Sequence, residues 1–534
     1  MTERSTGGAE HRLVRSSAVV GLGTALSRVT GLLRVSALAA LSLGALTDVY
    51  NIANSTPNIV YELLLGGILT ATLVPLYVEH YEKNDERATD AINSVAVAAL
   101  AVISILGFLA APWIIEIFML RLHGASKIPR QALATDLLRW FMPQVFFYGI
   151  TALATAMLNA RRRFAAAAYA PVLNNVVVIA ALLALPIVAT EPPTVTSVLA
   201  DPKLVVLLGL GTTAGIVAMA LVLIPALRNA GARLHWVWEW RHPAVRHLAR
   251  LSGWTIGYVA TNQVAFWVAL FLAYGHSGDA SVYIAAFTFF QLPHGLFAVS
   301  IMTALAPELA SRASRGDFDG LRAQFAMGFR LMGLVVLPAA AILLVLARPI
   351  VNALLDYGSF TAGNGSATAE TLACFAIGLF AFSAYLFTLR GFYAMQDTKT
   401  PFLLNCLENG INILLALAFY PLFGVQGLAL SWSIAYIVAM FVSLEAMRRR
   451  LGRLEGREMI DTLARVLVAT VVLGALAWGV STVVGYGTPG RAIVAVIAAL
   501  VVGGAGFLVT LQLLHVRELA LLRDVLLRRT LAAD

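Results

Sequence analysis

The chain has 534 residues, of which 59% are hydrophobic and only 13% are charged, and its formal net charge is +9. Soluble globular proteins carry about 25% charged residues, so this composition excludes an ordinary soluble domain. The basic residues lie in short segments between apolar stretches, which is typical of cytoplasmic membrane loops. We therefore expect the membrane to be a partner and nucleic acid not to be one.

Apolar stretches long enough to cross a bilayer, which needs about 20 residues per helix, follow one another along the chain. Backbone groups in lipid must be satisfied within the chain, so each stretch is predicted to be a helix. The predicted fold class is all-α, a polytopic membrane bundle of about 14 transmembrane helices. The predicted spans are residues 15–43, 47–79, 90–119, 134–160, 165–189, 203–227, 246–274, 280–308, 323–347, 367–395, 400–422, 426–447, 462–485 and 491–515.

Alternate loops differ in charge. One set is rich in Lys and Arg, and the other has none around residues 43–48, 275–279, 356–366 and 422–426. The positive-inside rule places the basic set and both termini in the cytoplasm. Residues 516–534 combine arginine and leucine in the pattern of an amphipathic helix on the inner leaflet.

The chain resembles itself at a separation of about 230 residues: Asp48 precedes Pro75 much as Asp279 precedes Pro307. Spans 1–6 are therefore predicted to be duplicated in spans 7–12, and such repeats form two lobes that can alternate access to a central cavity. The predicted divisions are an N-terminal lobe at 1–227, a C-terminal lobe at 228–450, helices 13 and 14 at 451–515 and a tail at 516–534.

Span 1 carries two arginines, Arg28 and Arg34, and Ser27 precedes the first. A charge within a span is expensive in lipid and is a functional hypothesis by default. Two guanidinium groups suit a phosphate, because arginine binds phosphate oxygens bidentately and stays charged. The alternative is a structural role, in which the arginines pair with acidic residues or reach to the membrane surface.

Span 2 has a polar face that includes Asn51, Asn54, Asn58 and Glu62, with Asp48 at its start. The spacing of three and four residues aligns the first four on one side of a helix. This face is predicted either to line a cavity, with Asp48, Asn58 and Glu62 as substrate-binding candidates, or to form a polar contact between helices.

Span 11 has a second such face, formed by Asn405, Glu408, Asn409 and Asn412. A buried glutamate beside amide oxygens would suit a sodium ion or a proton, which makes Asn405, Glu408 and Asn409 a candidate ion site. The alternative is a hydrogen-bonded network without an ion. No metal-ligand spacing and no catalytic motif accompanies either face, so neither a metal nor an enzyme is expected.

Several motifs resemble the MurJ (MviN) family of lipid II flippases. They occur in the family's order over most of the chain. The motifs are Ser27-Arg28-Val29-Thr30-Gly31-Leu32-Leu33-Arg34, Thr47-Asp48, Pro57-Asn58, Leu73-Val74-Pro75, Leu158-Asn159, Arg163-Phe164, Ala168-Tyr169-Ala170-Pro171, the loop 357–361, the turn 391–401 and Gly427-Leu428-Ala429-Leu430.

The resemblance implies the MOP exporter fold, with fourteen helices in two lobes and a cationic central cavity. It implies transport of lipid II, the undecaprenyl-diphosphate-linked peptidoglycan precursor, from the inner to the outer leaflet of the bacterial cytoplasmic membrane. No cofactor is implied; sodium, protons or the membrane potential would drive transport. Cell-wall synthesis or division proteins are the protein partners it implies.

The chain departs from the family pattern at three places. Val35 stands where the family often has an acidic residue, Tyr61 where it often has an arginine, and Thr288 lies in a stretch that commonly carries another cavity arginine. These departures leave other functions open. They are a flippase for another polyprenyl-linked glycan, a multidrug or small-molecule antiporter of the same superfamily, and a membrane scaffold for wall synthesis.

Overall fold

The computed structural model describes residues 22–23, 26–38, 45–62, 73, 76–78, 80, 85–120, 122, 124, 126–161, 163–232, 235–355, 362–452, 454, 456–516 and 518. Within these residues the chain consists of helices and their connections, and no strand occurs there. The all-α prediction is therefore confirmed. The predicted amphipathic tail lies almost wholly outside the described residues.

The chain divides into two compact units, Met1–Ser281 and Val282–Asp534. The boundary falls in the first turn of a helix, Asp279–Pro293. The division into six-helix lobes at residue 227 stays a prediction.

The first unit contains ten helices of six or more consecutive described residues, apart from the first turn of Asp279–Pro293. They are α1 (26–38), α2 (Ala45–Glu62), α3 (Glu86–Phe118), α4 (Lys127–Phe141), α5 (Pro143–Ala160), α6 (Phe164–Val188), α7 (Val195–Ala200), α8 (Pro202–Leu221), α9 (Leu223–Asn229) and α10 (Pro243–Ala273). In this unit α6 packs against α8, α2 against α4, and α3 against α5 and α10.

The second unit begins within α11 (Asp279–Pro293), which continues through a π-helical turn, His294–Ala298, into α12. The remaining described helices are α12 (Val299–Ser314), α13 (Phe318–Val345), α14 (Ala347–Leu355), α15 (Ala362–Ala394), α16 (Lys399–Phe423), α17 (Val425–Leu451), α18 (Gly456–Val484) and α19 (Pro489–Leu513). Here α17 packs against α15 and α16, and α18 packs against α13 and α19.

Eleven helical segments of the described chain are long and apolar enough to cross a membrane. Each coincides with a predicted span. The other three predicted spans overlap α1, α2 and α10, of which α10 contains a shorter apolar helix at Gly257–Ala273. The multi-pass architecture is therefore confirmed, and the number fourteen stays a prediction.

Helix boundaries follow local sequence signals. Asp85 begins α3 by accepting a hydrogen bond from the backbone of Ala88 at 3.1 Å, and Asp317 begins α13 by accepting one from Gly320 at 2.9 Å. A short polar side chain at this position satisfies a backbone N–H group that the helix itself leaves unpaired. Gly424, at φ 59°, separates α16 from α17, where a residue with a Cβ atom would be strained.

Small residues allow α15 and α17 to approach closely. A Cβ atom at Gly378 would lie 2.7 Å from the Cα atom of Ser433. The Ser433 hydroxyl donates a hydrogen bond to the backbone oxygen of Cys374 at 2.7 Å. Close backbone approach with a hydroxyl hydrogen bond is how membrane helices associate where the hydrophobic effect contributes little.

Contacts between loops agree with the predicted alternation of charge. In the first unit, Arg87 binds Glu239, so two loops of the basic set lie together. Asp48 accepts a hydrogen bond from Gly278, so two loops of the uncharged set also lie together. In the second unit, the Asn352 side chain donates a hydrogen bond to the backbone oxygen of Tyr486 at 3.0 Å.

Candidate functional site

The two span-1 arginines lie on α1, six residues apart, so they are separated by about 9 Å along the helix axis. Arg28 is exposed and Arg34 is partly buried. Arg34 interacts electrostatically with Tyr50 of α2, whose hydroxyl shares a hydrogen bond of 3.0 Å with that of Thr212. The structure thus places one cation at the surface of the unit and the other beside α2.

Asn175 of α6 is bonded to α1 on either side of Arg28. Its side-chain amide donates to the backbone oxygen of Ser27 at 3.1 Å and to the hydroxyl of Thr30 at 3.0 Å. A Cβ atom at Gly31 would lie 3.6 Å from the same amide, an ordinary contact. Ser27 therefore contributes its backbone to this attachment, which the sequence analysis did not predict.

Asp48, in the first turn of α2, is 4% exposed and contacts the start of α11. One carboxylate oxygen accepts from the backbone N–H of Gly278 at 2.5 Å. The other accepts from the hydroxyl of Ser281 at 2.7 Å and from its backbone at 3.2 Å. Asn51 donates to the same hydroxyl at 3.2 Å. The first turns of the polar face therefore form a contact between chain segments, which was one of the two predicted alternatives.

Towards the other end of α2, Asn58 accepts a hydrogen bond from the Tyr148 hydroxyl at 3.1 Å. The ring of Tyr148 lies 4.2 Å, centroid to centroid, from the ring of Tyr61. Tyr148 was missed by the sequence analysis because nothing in the pattern of span 4 distinguishes it. Glu62 is the last residue of α2, and its side chain lies outside the described residues.

In the second unit, the polar face of α16 is buried as predicted, with Asn405, Glu408, Asn409 and Asn412 all enclosed. The Asn409 amide donates to the backbone oxygen of Asn405 at 2.9 Å, and Asn412 accepts from the hydroxyl of Ser431 at 3.2 Å. The first of these bonds lies within α16, and the second joins α16 to α17.

Glu408 is fully buried, and neither of its carboxylate oxygens makes a hydrogen bond of ordinary geometry. The hydroxyl of Tyr436 interacts with the carboxyl group, and the Tyr436 ring lies 4.3 Å from that of Trp432 in an aromatic cluster. A bare carboxylate is costly in such surroundings, so the group favours a bound proton or cation. No cluster of three or more His, Cys, Asp or Glu that could hold a metal ion occurs in the described part of the chain.

Comparison with known proteins decides the family. The family model described as "Lipid II flippase MurJ" matches residues 38–497. The chain belongs to the MurJ family. The resemblance inferred from the motifs is therefore confirmed, and because this is a family of lipid flippases, the chain is classed as a transporter and not an enzyme.

Individual MurJ relatives and solved structures agree with this assignment. The lipid II flippase MurJ of Burkholderia cenocepacia is 30% identical over 452 residues, which cover 82% of this chain and 84% of the relative. A solved structure of lipid II flippase MurJ in an inward closed conformation shares the fold, with a TM-score of 0.76, 21% identity and coverage of 94% of this chain and 100% of the other.

A multidrug resistance MATE family transporter of the MOP superfamily, solved in an inward-facing conformation, also shares the fold of this MurJ family member. Its TM-score is 0.64 at 15% identity, covering 82% of this chain and 99% of the other. The MOP-type fold implied by the motifs is thereby confirmed. Because the family model that matches residues 38–497 is that of the lipid II flippases, the antiporter alternative is not favoured.

Proposed function

We propose that this protein translocates lipid II from the inner to the outer leaflet of the cytoplasmic membrane by alternating access. The observation that carries the proposal is the family match over residues 38–497. The paired arginines of α1, just before that stretch, supply the chemistry, because lipid II presents a diphosphate between its polyprenyl tail and its glycan head.

Arg28, Arg34 and Ser27 form the proposed diphosphate site. The guanidinium groups of the two arginines keep their charge within a membrane and can each bind two phosphate oxygens. The two hydrogen bonds from Asn175 to Ser27 and Thr30 fix the turn of α1 that carries Arg28. Fixing that turn lowers the conformational cost of presenting both cations to one ligand.

Asn58, Asp48 and Glu62 complete the proposed substrate site on α2. Asn58 lies with Tyr61 and Tyr148, a pair of rings with hydroxyl groups that suits the sugar of the head group. Asp48 is a positioning residue in this proposal, since its oxygens already accept hydrogen bonds from Gly278 and Ser281. The polyprenyl tail remains in lipid beside α18 and α19.

Transport needs a driving force, for which the proposal has two candidates. One is a sodium ion or a proton bound at Glu408 with Asn405 and Asn409. The other is the membrane potential, which acts on each elementary charge with about 2.3 kcal/mol per 100 mV. Both termini are proposed to be cytoplasmic, and cell-wall synthesis or division proteins are proposed partners.

The test is depletion of the protein in its host, with a measurement of how much lipid II is accessible on the outer leaflet. Accessibility should fall on depletion and return with the wild type, but not with Arg28→Ala or Arg34→Ala. Arg322→Ala is the matched control, because it removes an arginine that pairs with the exposed Asp319 at the start of α13. Restoration by both α1 variants would refute the diphosphate site, and unchanged accessibility on depletion would refute the function.

A further inference from the structure

The segment that connects α9 to α10 is fastened to the beginning of α3 through alternate residues. The three side chains it contacts on α3 are spaced by three and four residues, so they lie on one face of the helix. The bonds are from the His235 backbone to Asp90 at 3.1 Å, from the Val237 backbone to Ser94 at 2.9 Å, and from the Arg87 guanidinium to Glu239 at 3.0 Å.

A tryptophan follows each of these attached residues. Trp236, Trp238 and Trp240 are 65%, 60% and 54% exposed. The rings of Trp236 and Trp238 are stacked, with centroids 6.4 Å apart, and the Arg241 guanidinium lies 4.5 Å from the centre of the Trp240 ring. We call Trp236, Trp238, Trp240 and Arg241 the tryptophan patch.

The tryptophan patch lies at the level where α3 enters the apolar part of the membrane. Its attachment points lie within the first nine residues of α3, before the long stretch without charged residues that starts at Val95. Val102 and Leu106, about 12 and 18 Å further along the helix axis than Ser94, are exposed apolar residues of the kind that face lipid. Tryptophan is enriched at this depth because its ring is apolar and its N–H group is polar.

Charge favours a lipid surface over water or a neutral partner. Residues 228–250 contain five arginines and a single acidic residue, Glu239. The hydrogen bond from Arg87 lowers the pKa of Glu239, and both side chains are occupied with each other. The excess of arginine gives this segment a positive charge. Basic segments beside a membrane helix are drawn to anionic lipid headgroups.

We propose that the tryptophan patch is a membrane-interface anchor that inserts its three rings among the headgroups and binds anionic lipid through Arg241. The attachments to Arg87, Asp90 and Ser94 hold the rings at a fixed depth. The tryptophan patch belongs to the segment between α9 and α10, whereas the proposed diphosphate site belongs to α1.

Depth-dependent fluorescence quenching in proteoliposomes tests the anchor. The triple variant Trp236→Phe/Trp238→Phe/Trp240→Phe keeps the other tryptophans of the chain. The difference in emission between the wild type and this variant is therefore the emission of the three rings of the patch. In phosphatidylcholine brominated near the headgroup this component should be quenched strongly. Bromine near the end of the acyl chain, or iodide in the water, should quench it weakly.

Two controls make the measurement decisive. Trp478→Phe removes an exposed tryptophan of α18, and the emission it removes should be quenched by brominated lipid whatever the tryptophan patch does. Adding phosphatidylglycerol should increase the shallow quenching of the patch, and Arg241→Gln should abolish that increase. If the Trp478 component is quenched while the patch is quenched by iodide alone, the rings face water. That result would overturn the anchor and point to a protein partner.

Discussion

Asp48 and Glu408 are both buried acidic side chains, but their surroundings differ. Asp48 accepts three hydrogen bonds from Gly278 and Ser281, whereas the oxygens of Glu408 make none of ordinary geometry. A carboxylate with all its partners stabilises a fold, and one without them is available to a proton or a cation. Burial alone therefore does not distinguish a structural acid from a candidate ion site.

Removing the Asp48 carboxylate should destabilise the protein. Asp48→Ala leaves the Gly278 N–H and the Ser281 hydroxyl buried without their acceptor, which costs about 2–4 kcal/mol. Thermal unfolding in detergent would measure the loss. Asp201→Ala is the control, since Asp201 accepts from Lys203 at an exposed helix start, and a loss there as large as at Asp48 would contradict this account.

Glu408→Gln tests the candidate ion site. Glutamine keeps the shape of a protonated glutamate but cannot titrate or bind a cation by charge, so we expect an intact fold. Restoration of lipid II exposure by this variant should no longer respond to dissipating the sodium or proton gradient. The control is Asn412→Ala, which breaks the hydrogen bond to Ser431 without removing an acid. A Glu408→Gln protein with wild-type gradient dependence would leave the membrane potential as the driving force.

At the scale of elements, the turn before α16 shows how a sequence motif becomes a helix start. Asp397 accepts from the backbone of Thr400 at 3.0 Å and from its hydroxyl at 2.7 Å. Partial burial raises the pKa of Asp397, but these hydrogen bonds and the charge of Arg450 more than offset it and hold the pKa below the ordinary value. The acid is therefore ionised at neutral pH and anchors the first turn.

Asp397→Ala should cost about 1 kcal/mol, as for other lost helix caps. Because the folded pKa lies below the unfolded one, this stabilisation is complete above the ordinary aspartate pKa of about 3.9 and is lost as the pH falls through the lower folded value. The difference in unfolding midpoint between variant and wild type should accordingly shrink on acidification. A difference that grows at low pH would contradict the assignment.

The attachment of α1 to α6 is a second element-scale feature with a measurable effect. Asn175→Ala removes two hydrogen bonds, worth about 1–3 kcal/mol together, and frees the turn between Arg28 and Arg34. We expect reduced restoration of lipid II exposure. Thr30→Val removes one acceptor and leaves the Ser27 oxygen, so its effect should be smaller. Equal activity of Asn175→Ala and the wild type would show that the function of the arginines does not depend on this attachment.

Elements were more predictable from the sequence than contacts. Apolar length located the helices, and the spacing in α16 placed Asn405, Glu408 and Asn409 on a buried face. The partner of Asp48 could not be predicted, because Gly278 lies 230 residues away and only the tertiary fold brings it near. Tyr148 and the tryptophan patch were missed because an isolated tyrosine and a short loop have no helical period to interpret.

At the scale of the whole molecule, the separation of basic and uncharged loops predicts the topology. Arg87 with Glu239, and Asp48 with Gly278, join loops of the same predicted side within the first unit. Helix ends that contact each other share a membrane face, so these pairs agree with the grouping of the loops, and the orientation itself stays a prediction.

Cysteine accessibility tests this topology directly. In a background with Cys374 and Cys406 replaced by alanine, Ser277→Cys should react with a membrane-impermeant maleimide in intact cells. Ser314→Cys, beside Arg312 and Arg315, should react only after permeabilisation. Both serines are exposed, so neither result depends on burial. The reverse pattern would invert the topology and place the termini outside.

Transport of lipid II by the purified protein is the most direct test of the central claim. Vesicles containing lipid II and the wild-type protein would be treated with an impermeant reagent that modifies the glycan head, and the protected fraction would be followed with time. The account predicts that lipid II on the inner leaflet becomes accessible with the wild type and stays protected with the Arg28→Ala/Arg34→Ala double variant. Continued protection of lipid II, with movement of another polyprenyl-diphosphate glycan in the same vesicles, would contradict it.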